Sequence, residues 1–239
     1  MDRFVAVAII SLLLTIALVF ILVYLKILAL TPSMTDYPVR GIDVSHHNGE
    51  IDWERVAVQN IKFAYIKASE GNDLQDPLFE RNWQEVRRVG LIPGAFHVFG
   101  NCSTGVEQAR NFLLVWRDRG IALPPAVDVS SGLPCAGATG NPRNELLVFL
   151  NEIERTTGRR PIVYDNRTYI PGFSNNSGHQ DIKWARGIIW HPHVFYGDEW
   201  VFWQYSRRGE IDGISFPVDL NVFQGSDERF KTILQGAGQ

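Results

Sequence analysis

From residue 39 onward, short apolar runs with strand character alternate with amphipathic stretches of helical period, and this alternation constrains the fold more than any other feature. Strand-like runs fall at 39–44, 63–68, 92–99, 126–129, 161–164, 187–190, 201–205 and 218–223. Helix-like stretches fall at 53–59, 78–89, 106–119 and 143–156. Asp76-Pro77 and Asn141-Pro142 suit helix starts, and Gly90, Gly120 and Gly158 suit helix ends. Strands that alternate with helices predict a parallel sheet. About eight of them in roughly 200 residues predict one α/β unit, a barrel related to the (β/α)8 type. The stretches between the strands near Trp190, Trp203 and Asp219 carry no helical pattern, so this half of the barrel is expected to be compressed and irregular.

A different signal precedes the barrel. Residues 5–25 are apolar apart from Ser11, Thr15 and Tyr24, with Arg3 before them and Lys26 after them. About 21 residues at 1.5 Å each cover roughly 30 Å, the thickness of a bilayer core. The run is long for a cleaved signal peptide, and Ala29-Leu30-Thr31 makes a poor cleavage site. The expected organisation is therefore an uncleaved transmembrane anchor at 1–30, a linker at 31–38 and one barrel domain at 39–239. The net charge of −3 argues against a nucleic-acid partner, which a broad basic face would serve. Aromatic residues make up 12% of the chain, and several fall late beside polar residues, a leaning toward a sugar-binding cleft.

Three aspartates stand on or near strand ends, where function gathers in such barrels: Asp43, Asp128 and Asp219. Each lies among apolar strand residues, where a carboxylate is costly unless paired or used. Singly, each is as well explained by a cap or an ion pair. Three at equivalent places point to a shared acidic cleft, and carboxylate pairs are the working groups of glycoside hydrolysis.

The residues around them resemble glycoside hydrolase family 25, the Chalaropsis-type lysozymes. The likeness begins at Gly41-Ile42-Asp43-Val44-Ser45-His46-His47-Asn48-Gly49 and continues through Tyr65-Ile66-Lys67-Ala68-Ser69-Glu70-Gly71 and Gly94-Ala95-Phe96-His97. It runs on through Pro161-Ile162-Val163-Tyr164, Trp203-Gln204-Tyr205 and Asp219-Leu220-Asn221-Val222-Phe223. It implies a flattened α/β barrel and a muramidase that needs no cofactor or metal. Such an enzyme cleaves the β-1,4 bond between N-acetylmuramic acid and N-acetylglucosamine in peptidoglycan, the expected partner beside the membrane that the N-terminal helix enters; this puts the barrel on the extracytoplasmic side, and the chain is expected to be a monomer. It further implies catalytic positions at Asp43, Asp128, residue 130 and Asp219. Asp128 would assist attack by the substrate's N-acetyl group. Tyr65, Tyr164, Trp203 and Tyr205 would be sugar-contacting aromatics, and Glu70, His97 and Asn221 further substrate-binding positions. Core packing is an equal reading for any single aromatic.

At one position the chain departs from the family. The family's fourth strand carries Asp-x-Glu, with the Glu as general acid, and this chain reads Asp128-Val129-Ser130. Residues i and i+2 of a strand share a face, so Ser130 is expected where that acid would stand. A hydroxyl is too weak an acid to protonate a glycosidic oxygen. The chain is thus either a muramidase impaired by Ser130, a glycan-binding protein without catalysis, or an enzyme in which another acid such as Glu70 serves; an engineered serine is a further explanation.

Cys102 and Cys135 follow the third and fourth strands and are expected in neighbouring loops. A disulfide there would close roughly 34 residues, worth about 3–4.7 kcal/mol in the loop-entropy model; two free thiols are the alternative. His46-His47 and His191-Pro192-His193 match no common zinc spacing, and Ser130 lacks a nucleophile elbow.

Overall fold

The computed structural model describes residues 3–116, 120–130, 140–165 and 182–234. Helix α1 (Arg3–Leu30) comes first, and its segment Arg3–Val23 is long and apolar enough to cross a membrane, with none of its described side chains buried. Nine strands follow: β1 (Arg40–Val44), β2 (Phe63–Glu70), β3 (Leu74–Gln75), β4 (Ile92–Val98), β5 (Ala126–Asp128), β6 (Ile162–Asp165), β7 (Ile182–Arg186), β8 (Phe202–Gly209) and β9 (Val218–Phe223). They pair in the order β1-β9-β8-β7-β6-β5-β4-β2-β3, and β1 also pairs with β2. Eight strands therefore close a barrel, with β3 as an added edge.

Helices α2 (Trp53–Ala57), α3 (Phe79–Arg88), α4 (Gly105–Val115) and α5 (Pro142–Thr157) cover the first half, while the short α6 (His193–Tyr196) lies between β7 and β8 and α7 (Asp227–Leu234) follows β9. Asn141 caps α5 through the Arg143 amide, with Pro142 in the first turn, and Gly158 ends it in the left-handed region at φ 67°. Asp76 does not cap α3, which starts at Phe79. Its buried carboxylate instead accepts from the Leu78 amide and holds His46, with Nδ1 2.7 Å away.

Two corrections concern the second half. The seventh strand is Ile182–Arg186, not 187–190. Lys183 and Arg186 break its apolar pattern, yet Lys183 faces outward to Glu199 (2.8 Å) and Arg186 stands at the mouth. The ninth strand runs antiparallel to both β1 and β8, in an otherwise parallel barrel. A chain that reverses here needs no crossover helix, and that explains the helix-free connection from β8 to β9.

Strand alternation sorts side chains into layers. Ile42, Val44, Ala64, Ile66, Ala95 and Val127 face outward onto helices with Trp83, Phe112 and Phe149. Phe63, Tyr65, Ile162, Tyr164, Trp184, Phe202 and Phe223 fill the interior. The bulky interior rings require small neighbours. A methyl group on Gly94 would overlap the Tyr65 ring, and one on Gly41 the Phe63 ring. Gly94→Ala is expected to destabilise the barrel by about 1–3 kcal/mol, the usual cost of overpacking, read as a lowered denaturation midpoint.

Candidate active site

One mouth of the barrel opens into a cavity of about 400 Å³. Its acidic side is built by β1 and β9, whose register sets Asp43 opposite Asp219. Gln204 Nε2 on β8 donates to Oδ2 of both carboxylates at 3.1 Å, and Asn221 Nδ2 donates to Asp43 Oδ2 at 2.7 Å. Behind these donors, the Tyr164 hydroxyl donates to Gln204 Oε1 (2.7 Å) and Trp184 Nε1 to Asn221 Oδ1 (2.8 Å). Both amides are thereby fixed with their NH2 groups toward the carboxylates.

Burial raises Asp43 well above the usual carboxylate range, and the charge of Asp219 adds to it; the Asn221 and Gln204 donors oppose the rise without cancelling it. Asp219 is also raised by burial, against the opposing charge of Arg207 and the hydrogen bond from Asp43. Both carboxylates are thus pushed toward their protonated forms, Asp43 the more strongly. A raised folded-state pKa means that the folded chain binds the proton more tightly than the unfolded chain, so this pair loses stability as pH rises through the raised value. Asp43→Asn keeps the shape and removes the titration. Its melting temperature is expected to converge with the parent's at acid pH and to exceed it increasingly toward alkaline pH, each kcal/mol being worth roughly 2–4 °C.

Across the cavity, Asp128 ends β5 and Ser130 follows it on the wall. The Ser130 amide donates to Asp128 Oδ1 at 2.7 Å. Burial raises Asp128; the Ser130 hydroxyl and amide oppose this, as do the charges of Lys67 and Arg186. Phe96, Tyr164 and Trp184 supply aromatic surface, and Lys67, Arg186 and Arg207 bring positive charge. Lys67 is itself ion-paired with Glu70. An apolar wall beside convergent carboxylates and amides suits a ring-shaped polar ligand such as a sugar.

Residues 42–214 match the family described as glycosyl hydrolases family 25. The chain belongs to that family. It is 34% identical over 204 residues to lysozyme M1 of Streptomyces globisporus, covering 80% of this chain and 69% of that protein. It is 35% identical over 212 residues to the YegX protein of Escherichia coli K12, covering 84% and 75%. The structure of a family 25 glycosyl hydrolase from Bacillus anthracis superposes with a TM-score of 0.75 at 32% identity, covering 84% of this chain and 95% of that one.

In this family 25 barrel, Asp43, Asp128, Ser130, Asp219 and Tyr164 all line the cavity. Asp219 reaches the mouth because β9 is reversed, which brings the start of that strand, not its end, to the same rim as the ends of the others. Asn221 lies beneath the carboxylate pair as its donor. The remaining expected contacts are elsewhere. Tyr65 points inward one layer lower, where its hydroxyl donates to the Pro124 carbonyl (3.0 Å) and its ring meets Trp184 at 4.6 Å. Glu70 is turned to Lys67.

His97 faces outward, buried between Ser69 Oγ (2.8 Å) and Gln108 Oε1 (3.2 Å) and stacked on Phe149 at 4.9 Å. A bulge in β2 between Lys67 and Ser69 turns Ser69 to it. Burial lowers His97 to about 3, so it is neutral at ordinary pH. Trp203 and Tyr205 also face outward, because the inward residue of Trp203-Gln204-Tyr205 is Gln204; the Trp203 indole donates to the Gly187 carbonyl at 2.9 Å. Gln204, Trp184, Lys67 and Arg186 were not singled out by sequence reasoning, although strand alternation from Tyr65 to Lys67 carried a signal for one of them. Cys102 is disulfide-bonded, and Cys135 lies outside the described residues.

Proposed function

We propose that this chain is a membrane-anchored, peptidoglycan-directed muramidase-like protein whose barrel lies outside the cytoplasm and whose hydrolytic step is severely slowed or lost. One observation carries the reading: Ser130 stands on the cavity wall two residues beyond Asp128, and the only carboxylates lining that cavity among the described residues are Asp43, Asp128 and Asp219. Asp43 is enclosed by the amide donors Gln204 and Asn221 on the neighbouring strands, and Asp128 is positioned by the Ser130 amide to hold the substrate's N-acetyl group. Neither is the acid of an Asp-x-Glu pair. Glycan binding needs the aromatic wall, the carboxylates and the amides, all of which are present, so recognition is retained while protonation of the leaving oxygen is not.

Helix α1 supplies the anchor. The test uses the full chain in lipid nanodiscs, with lysozyme M1 beside it. Insoluble peptidoglycan should pull the chain down while muropeptide release stays near background. Release at a rate comparable with lysozyme M1 would overturn the catalytic part, failure to sediment would overturn the binding part, and extraction of the chain from cell membranes by alkaline carbonate would overturn the anchor.

A further inference from the structure

The segment 188–195, between β7 and β8, carries an unusual surface. Ile188, Ile189, Trp190, Val194 and Phe195 are 37–60% exposed, and the segment contains no Asp, Glu, Lys or Arg. Its surroundings indicate what meets it. Helix α1 ends at Leu30, and its 28 residues measure about 42 Å, enough to span the bilayer with its headgroup layers. Two residues later Pro32 is already buried, and its carbonyl accepts from Arg40 Nη2 at 2.5 Å. Two residues reach at most about 7 Å, so the packed part of the chain begins within that distance of the end of α1, with no loose tether between them. The linker then turns, with the Tyr37 amide donating to the Ser33 carbonyl at 3.0 Å. Near its end the Tyr37 hydroxyl meets His191 Nε2 at 2.9 Å and the Tyr37 ring lies edge-on to Trp203 at 5.7 Å. Tyr37 thus bonds the end of the linker into the middle of the apolar segment, at most about 25 Å of chain from the end of the helix.

We propose that residues 188–195 form a second, interfacial membrane contact, seated in the headgroup and outer acyl region of the same bilayer that holds α1. This rests on the anchored reading above. Aliphatic and phenyl groups suit the acyl boundary, and Trp190 and the two histidines suit the headgroup level. With both contacts made, the barrel has a fixed tilt, and its cavity presents one constant direction to the glycan layer.

Ile189→Cys and Val194→Cys, each carrying an environment-sensitive fluorophore, are compared in the full chain in nanodiscs with Val106→Cys, another exposed apolar position, at the start of α4, which packs on the β2 side of the barrel. Labels at 189 and 194 should be blue-shifted and lose most of their emission to shallow spin-labelled lipids, while the label at 106 should not respond. Labels at 189 and 194 that stay in water would overturn the proposal, as would labels that ignore lipid and respond only to added peptidoglycan fragments, which would assign the segment to the glycan-binding wall. Carbonate-resistant membrane recovery of the same labelled chains reports on the anchor separately, so loss of the anchor and loss of the second contact give different results.

Discussion

Ser130→Glu is expected to raise muropeptide release by about 10²–10⁴, the usual worth of a positioned general acid. That is roughly 3–5 kcal/mol of barrel-bound transition-state stabilisation. Ser130 lies on the wall of a cavity of about 400 Å³, so a longer side chain has space to enter. The new carboxyl would stand near Asp128, itself raised by burial, and two carboxyls in one site push one of them to hold its proton. The variant should therefore show an alkaline limb in its pH–rate profile that the parent lacks. Glycan binding should change little, since the aromatic and amide contacts are untouched. If the variant binds peptidoglycan and remains inactive, the cleft has diverged at more than one position and a binding role becomes the better reading.

Trp184→Ala should produce the largest loss of stability among single changes near the site. The side chain is almost fully buried and stacks near Tyr65, with Tyr164 edge-on at 5.3 Å. Removing a buried Trp costs about 3–5 kcal/mol. For a barrel of this size the melting temperature should fall by roughly 6–20 °C. The indole also donates to Asn221 Oδ1, and Asn221 in turn donates to Asp43. Trp184→Phe separates these roles. It keeps a ring in the core but leaves the buried Asn221 oxygen without its donor, at about 1–3 kcal/mol. With Asn221 free to rotate, Asp43 loses a donor that stabilises its charged form, so its pKa should rise further, and the pH dependence of stability should steepen. A Trp184→Phe melting curve identical to the parent's at every pH would show that the hydrogen bond has no part in holding the carboxylate pair.

The sequence by itself determined the class of fold, the apolar N-terminal helix and the three aspartates. Each rests on a local pattern: helical or strand period in the apolar residues, the length of an apolar run, or carboxylates among strand residues where ionisation is costly. The tertiary structure alone decided which side chains meet. Alternation along a strand is a two-state property, and one residue of offset exchanges the inner and outer faces. Trp203 and Tyr205 therefore pack outside while Gln204 bridges the carboxylates, and the β2 bulge gives Ser69 and His97 to the outer layer. The apolar run 187–190 resembled a strand more than Ile182–Arg186 did, because Lys183 and Arg186 obscure a strand whose polar ends reach Glu199 and the cavity. The reversal of β9 was equally hidden, since a strand has the same apolar period in either direction. Direction and facing are settled by which neighbours close the barrel, and that is a property of the assembled sheet, not of any segment within it.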